Sequence, residues 1–163
     1  MSTSRKKVIV RKLSRGWISG YLPPADFISQ GQLGVLDLTG KVTSVVLAEV
    51  KWICFVRDFN LGDPEQPERL LAKNFSRRPR NQGLWLRAKL KDNDSIEGLA
   101  QNDSSLLDGN GIFLTPPDSR SNTQRIFLPR PAIQELEILA VVRSGVARKP
   151  PSSLQGSLFK QQN

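Results

Sequence analysis

Leu84 to Ala100 reads LWLRAKLKDNDSIEGLA, and Val8 to Leu22 reads VIVRKLSRGWISGYL. Each stretch alternates apolar and polar residues up to a polar turn, KDND in one and SRGW in the other, and then returns through a second apolar segment. Such a pattern is typical of a β-hairpin. The return segments hold Gly98 and Gly20, and a glycine inside a strand predicts a bulge or a sharp bend of the kind that curls a sheet into a barrel.

The similarity of the two halves continues beyond these hairpins. A third strand is predicted in LGVLDL and GIFLTP, a fourth in VTSVVLA and TQRIFLP, and a fifth in EVKWICFV and AIQELEILAVV. The last run fits a helix or a strand by periodicity, and its β-branched and aromatic counterpart favours a strand. Aligning the first strands places Val10–Arg11 on Leu86–Arg87 and requires one inserted residue before the turn. Further on, Val35–Leu36 matches Ile112–Phe113, and Val50, Ile53 and Phe55 match Ile133, Leu136 and Ile138 at a single offset.

These patterns predict an all-β fold of two tandem, five-stranded SH3-like or Sm-like barrels, the second a pseudo-duplicate of the first. The predicted boundaries are a first barrel repeat at 7–60, a linker at 61–83, a second barrel repeat at 84–142 and a disordered basic tail at 143–163. The linker is charged and rich in proline, with one helical turn at Pro67 to Lys73. The repeats pack side by side or share strands, because a unit of about 50 residues is marginally stable alone.

Composition excludes several kinds of chemistry. The 163 residues include no histidine and one cysteine, Cys54, so neither a Ser-His-Asp nor a Cys-His site can form, and a zinc site of Cys and His ligands is excluded. We therefore predict a protein that is not an enzyme and has no cofactor and no metal, with Cys54 as a core residue. No stretch approaches the roughly 20 apolar residues of a membrane span, and no apolar segment of a secretory signal follows the basic N-terminus. We expect no membrane insertion and a cytoplasmic location.

The formal net charge of +9 favours polyanionic partners. A nucleic acid is one such partner. Two tryptophans and three arginines are candidate contacts to bases and phosphates: Trp17, Trp85, Arg11, Arg15 and Arg87. The alternative is that the tryptophans close the ends of the barrels.

Three segments of the sequence resemble an uncharacterised bacterial family with a duplicated small β-barrel. They are VKWICFVRDF, LRAKLKDNDSIEGL and PPDSRSNTQRIFLPRPAIQELEIL, and the resemblance covers about residues 7–142. Its most specific parts are FVRDF, Phe55 to Phe59, and SNTQRIFLPRPAI, Ser121 to Ile133. Members occur beside bacterial signalling modules, so the resemblance implies a binding or adaptor module with a protein partner and no defined activity.

The second half is also similar to Sm-like RNA-binding proteins. The similarity rests on the apolar strand Leu86–Leu90, the turn at Asp92–Asn93, Gly98 and Asp103. Where the second motif of that family has Arg or Lys followed by glycine, this chain has Arg130 between two prolines, which departs from the pattern.

An arginine cluster followed by an acidic-serine turn is similar to the ligand motifs of PilZ domains. In that family guanidinium groups bind phosphates and stack on guanine, and the turn holds the base edge. The chain departs from the family because Arg77 and Arg80 have R-x-x-R spacing, and because Asp108 precedes Gly109 at the glycine position. The alternative is a solvated basic linker. The resemblance assigns five residues to a cyclic di-GMP site: Arg77, Arg78, Arg80, Asp103 and Ser105.

Overall fold

The computed structural model describes residues 4–59 and 71–143. Within these ranges the chain forms strands and three short 3-10 helices, η1 (Leu47–Glu49), η2 (Ser104–Leu107) and η3 (Arg130–Ala132). The predicted all-β class is confirmed. The first half contains β1 (Lys6–Lys12), β2 (Trp17–Leu22), β3 (Ile28–Ser29), β4 (Gln32–Asp37), β5 (Val42–Val46) and β6 (Val50–Val56). The second half contains β7 (Gly83–Leu90), β8 (Ser95–Ala100), β9 (Gly111–Leu114), β10 (Thr123–Pro129) and β11 (Ile133–Val142).

All strand pairs are antiparallel, and the halves follow one order of pairing. In the first half β1 pairs with β2 and β6, β2 with β4, and β4 with β5. In the second half β7 pairs with β8 and β11, a bridge from Leu99 to Thr115 continues β8 toward β9, and β9 pairs with β10. In addition β10 pairs with β6, so strands of both halves share an eight-stranded sheet, and β11, β7 and β8 form a three-stranded one.

The two hairpin turns have the same length and the same backbone geometry. The turn residues Arg15 and Asn93 both adopt left-handed backbone conformations, with φ of 74° and 69°. Val8 lies opposite Gly20 as Leu86 lies opposite Gly98. Val8, not Val10, therefore corresponds to Leu86, so the predicted match of Val10–Arg11 with Leu86–Arg87 and the residue inserted before the second turn are wrong. Equivalent hydrogen bonds close the turns, Lys12 N–H to Gly16 O at 2.7 Å and Leu90 N–H to Asp94 O at 2.8 Å.

A 3-10 helix precedes the last strand of each half. Leu47 N–H at the start of η1 donates to Gly31 O at 2.8 Å, and Arg130 N–H at the start of η3 donates to Asn110 O at 2.9 Å. The helices lead into β6 and β11. The prediction of a strand is thus confirmed for both runs, including AIQELEILAVV, whose periodicity fitted a helix equally. Their predicted matches lie at equivalent register positions, since Val10 pairs with Ile53 as Ala88 pairs with Leu136, and Val8 pairs with Phe55 as Leu86 pairs with Ile138.

Gly20 and Gly98 do not form bulges, because the β1–β2 and β7–β8 registers continue evenly through them. A Cβ on Gly20 would overlap Leu36 O, and a Cβ on Gly98 would lie 2.8 Å from Leu114 Cβ. The bulge that the sequence predicted is thus absent at both positions. Glycine is needed because the next strand crosses within a distance that admits no side chain.

Strand β6 supplies side chains to two cores. Ile53 and Phe55 pack with β1, β2, β4 and β5, whereas Trp52, Cys54 and Val56 pack on the opposite face with residues of β7 to β10. The prediction that Cys54 is a core residue is confirmed, and Trp52 is buried as well. The two cores are therefore separated by one shared layer of sheet.

Several predictions fall outside the described residues. Most of the helical turn proposed at 67–73, and the tail apart from Arg143, lie there. The described part of the predicted linker, 71–82, contains neither a helix nor a strand. Within the described ranges, no helix is long and apolar enough to span a membrane, and no group of three or more Asp, Glu or Cys side chains is placed to hold a metal ion.

Candidate functional site

The three clustered arginines line a concave pocket in front of β7. Arg77, Arg78 and Arg80 line this arginine pocket, which has a volume of about 330 Å³. The lining also includes Leu99, Thr115 and the loop Pro116–Ser119. This volume is at the lower end of the roughly 300–1,000 Å³ of small-molecule sites. No sequence signal indicates these further lining residues, because their proximity to the arginine segment depends on tertiary structure.

The arginine segment is anchored ahead of its first arginine and again at Pro79. Ahead of it, Lys73 O accepts a hydrogen bond of 2.7 Å from Glu97 N–H, and Phe75 packs edge-on against Trp85 with ring centroids 5.9 Å apart. Within the segment, Pro79 is buried. The guanidinium groups therefore extend from a fixed backbone, which lowers the entropic cost of binding a ligand.

The loop Pro116–Ser119 is also anchored. Arg57 donates to Ser119 O at 3.4 Å and to Ser121 O at 3.3 Å, and Asp58 and Asn122 exchange two hydrogen bonds of 2.8 Å each. Asp118 accepts a backbone hydrogen bond from Arg120 at 3.2 Å. The pocket thus lies between two fixed segments, and its loop is connected directly to the end of β6.

The three arginines of the pocket form no ion pair with a carboxylate of the described residues. In residues 4–59 and 71–143, no carboxylate forms an ion pair with Arg77, Arg78 or Arg80. The three arginines are exposed, whereas the half-buried Arg130 donates to Leu106 O and Asp108 O at 2.8 Å each. The arrangement can bind an anion without first breaking an internal ion pair.

Asp103 and Ser105 are not among the residues that line the arginine pocket. Asp103 caps η2 by accepting a hydrogen bond of 2.8 Å from Ser105 N–H. Hydrogen bonds from the Ser105 hydroxyl and backbone lower the pKa of Asp103. The structure therefore brings the three predicted arginines together and leaves these two residues in a separate turn.

Trp85 and Arg87 are tied to carboxylates. Trp85 Nε1–H donates to Glu97 Oε1 at 2.9 Å, and Arg87 lies 3.6 Å from Glu97 Oε2 and 3.4 Å from Glu137 Oε2. Trp85 is half-buried and lies on the face of β7 that also carries the exposed Arg87 and Lys89. A nucleic acid that used this pair would have to displace two carboxylates.

The predicted residues of the first hairpin do lie together. Arg11 and Trp17 are register partners, and the Arg11 guanidinium lies 5.0 Å from the Trp17 ring centre. Arg11 Nη1 also donates to Arg15 O at 2.8 Å. Trp17 remains 36% exposed, so an aromatic face and the exposed Arg15 are both accessible at this turn.

A charged cluster that the sequence did not reveal joins the two halves. Lys51 of β6 contacts Asp92 at 2.7 Å and Asp94 at 2.8 Å, and Lys73 contacts Asp94 at 2.8 Å. Burial raises the pKa of Asp94, but the hydrogen bonds from the two lysines outweigh burial and leave the pKa below its ordinary value. Lys51 Nζ also lies 4.4 Å from the Trp52 ring centre. The mutual pairing of these groups gives the cluster a structural role.

Comparison with known proteins identifies a family without an activity. A family described as a family of unknown function (DUF6982) matches residues 4–140. The expectation of an uncharacterised family over about residues 7–142 is confirmed by this match. No curated protein matches the chain.

Proposed function

The chain belongs to the DUF6982 family, whose function is unknown, and we propose that it is a non-enzymatic binding module that holds a phosphate-bearing ligand in its arginine pocket. The observation that carries this proposal is the set of three arginines without carboxylate partners on an anchored segment. The module would act in the cytoplasm as an adaptor in bacterial regulation, with a protein partner that responds to the bound ligand.

We infer further that the module contains two copies of one five-stranded SH3-like or Sm-like unit, within residues 7–60 and 84–142. The common order of strand pairing, the equal hairpin turns and the equivalent hydrogen bonds of η1 and η3 support this inference. The arginine pocket then lies where the second unit begins.

The chemistry of the pocket favours a ligand with phosphates and a flat apolar part. Guanidinium groups form charge-assisted, bidentate hydrogen bonds to phosphate oxygens. Leu99, Pro116 and Pro117 are apolar residues of the same lining. Cyclic di-GMP has both features and is the specific candidate that the resemblance to PilZ domains implies. Because Asp103 and Ser105 lie outside the pocket lining, the arginines would account for binding and these two residues would not.

Thermal unfolding of the full chain with and without ligand tests the proposal. A ligand that binds only the folded state raises Tm, and a concentration of 100 times Kd stabilises by about 2.7 kcal/mol. We expect cyclic di-GMP to raise Tm, Arg78→Ala to abolish the rise, and Asp103→Ala and the control Arg5→Ala to retain it. The absence of any rise with millimolar cyclic di-GMP, GMP or pyrophosphate would contradict the proposal. A rise that Arg78→Ala retains would place the ligand elsewhere.

Nucleic-acid binding at the first hairpin is the second candidate, and the exposed Trp17 beside Arg11 and Arg15 favours it. Base stacking on an aromatic residue is worth about 1–3 kcal/mol. We expect Trp17→Ala to reduce the affinity for a single-stranded oligonucleotide at least fivefold and Trp85→Ala to change it little, because Glu97 holds Trp85. Fluorescence anisotropy across a salt series measures both effects, since phosphate contacts make the affinity fall with salt. Equal losses in the two variants, or a salt-independent affinity, would count against this site.

A further inference from the structure

Exposed apolar side chains are concentrated on two strand edges. β11 pairs only with β7, and β5 pairs only with β4 among the described strands. Ile138 of β11 is 61% exposed and Val42 of β5 is 66% exposed. Strand edges with unpaired backbone groups and apolar side chains are templates for pairing with a further strand.

The internal junction between the halves shows what such an edge accepts. In that junction β6 pairs with β10, so that Phe55 lies opposite Arg125, Cys54 opposite Ile126 and Ile53 opposite Phe127. Phe55, Ile53 and Phe127 are buried there. The last strand of the first half thus pairs with the fourth strand of the second half.

The open edges are the counterparts of these two strands. Register places Ile138 of β11 at the position of Phe55 in β6, because each lies opposite an equivalent residue of the first strand, Leu86 or Val8. β5 precedes η1 as β10 precedes η3, and Val45 lies opposite Leu33 as Leu128 lies opposite Ile112. Each strand of the pair that joins the halves internally therefore has a counterpart, β11 for β6 and β5 for β10, with one edge unpaired among the described strands.

We propose that a second copy of this chain pairs its β5 edge with the β11 edge, head to tail, in the register of the internal β6–β10 junction. This proposal rests on the correspondence of the two halves and is independent of the arginine pocket. Transferring the internal register places Val42 of one copy opposite Ile138 of the next, Thr43 opposite Glu137, and Ser44 opposite Leu136. The two most exposed apolar residues of the described strands become direct cross-strand partners, a contact of the kind that stabilises paired strands.

The contact is heterologous, because the two edges differ. A pair of copies therefore keeps one free β11 edge and one free β5 edge, and adding further copies gives an open chain or, where the ends meet, a closed ring. An isologous dimer through two β11 edges would instead stop at two copies. This difference makes the assignment testable with single substitutions.

Sedimentation velocity of the full chain and two edge variants tests the proposal. We expect the wild-type mass to rise above that of the monomer between about 5 and 200 µM, within the range of a weak interface. Ile138→Lys and Val42→Lys should each be monomeric, because a lysine on an edge strand opposes pairing. An equimolar mixture of the two should form a 1:1 dimer and nothing larger, since each variant keeps one competent edge.

The control is Leu107→Lys, which changes an 86% exposed leucine in η2 and should associate as the wild type does. Circular dichroism tests whether each variant is folded. If Ile138→Lys is not folded, Leu136→Lys on β11 replaces it, and Val46→Lys on β5 likewise replaces Val42→Lys. A wild type that stays monomeric at 200 µM overturns the proposal. Association that persists in Val42→Lys alone also overturns it, because it would indicate pairing of two β11 edges. The proposal is likewise wrong if the equimolar mixture of Ile138→Lys and Val42→Lys forms no dimer. If deletion of residues 144–163 is required for association, the tail of the same chain occupies the edge and the proposal is wrong for the full chain.

Discussion

At the residue scale, Gly98 is a position where one methyl group is expected to destabilise the fold. The added Cβ would lie 2.8 Å from Leu114 Cβ and 3.1 Å from Thr115 O, and overpacking of this kind costs about 1–3 kcal/mol. We expect Gly98→Ala to lower the urea midpoint accordingly. Gly109→Ala is the control, because its Cβ would meet no atom within 4 Å, and its effect should stay within about 0.5 kcal/mol. Equal midpoints for the two variants would show that β9 can move away from Gly98.

Asp94 provides a second residue-scale prediction, through pH. Its folded pKa is below its ordinary value because two lysines bind the carboxylate. Its contribution to stability is therefore fully present above the ordinary aspartate pKa of about 3.9, and is lost as pH falls through that value toward the lower folded pKa. We expect Asp94→Asn to be less stable than the wild type at pH 7 and the difference to shrink by pH 3, measured by urea unfolding. Asp26→Asn, at an exposed aspartate that makes no ion pair with another described residue, should show no such pH-dependent difference. A difference for Asp94→Asn that is constant with pH would exclude this linkage.

At the scale of elements, the sequence predicts strands well and their distant partners poorly. Alternation and turn residues indicate each hairpin, since these signals are local. The pairing of β6 with β10 has no local signal, because it depends on two edges that are more than 60 residues apart in sequence. The same holds for the arginine pocket. The sequence shows the arginine cluster, but it does not show that the loop Pro116–Ser119 lines the same pocket.

The β6–β10 junction itself yields a prediction about Arg125. Its guanidinium lies 3.9 Å from the Phe113 ring centre and 5.7 Å from that of Phe55, and burial lowers its pKa. A cation–π contact of this kind is worth about 0.5–2 kcal/mol. We expect Arg125→Ala to lower the free energy of unfolding by about that amount. Gln124→Ala, at the neighbouring exposed residue, serves as the control. Equal effects of the two substitutions on the urea midpoint would show that the contacts of Arg125 with the two rings do not stabilise the fold.

At the scale of the whole molecule, the two halves depend on one another although their sequences suggest two repeats. Ile9, Trp52 and Cys54 of the first half pack in the core that the second half surrounds, and Phe127 of the second half packs in the core of the first. Sequence periodicity identifies the repeated strands but cannot show that one sheet serves both cores, because alternation within β6 looks the same whichever core each face contacts.

The shared sheet predicts that neither half folds alone. A fragment of residues 71–143 would lack Ile9, Trp52 and Cys54, and would expose the apolar face that they cover. Removing such side chains costs several kcal/mol each, which exceeds the stability expected of so small a unit. We expect this fragment to give the circular dichroism of an unfolded chain, and the full chain to unfold in one transition, with tryptophan fluorescence and circular dichroism coinciding. Cys54, buried in the shared layer, should react with a thiol reagent only in that same transition. A folded fragment would mean that the halves are independent domains. Reaction of Cys54 at a urea concentration below the loss of circular dichroism would mean that the β6–β10 junction opens before either core unfolds.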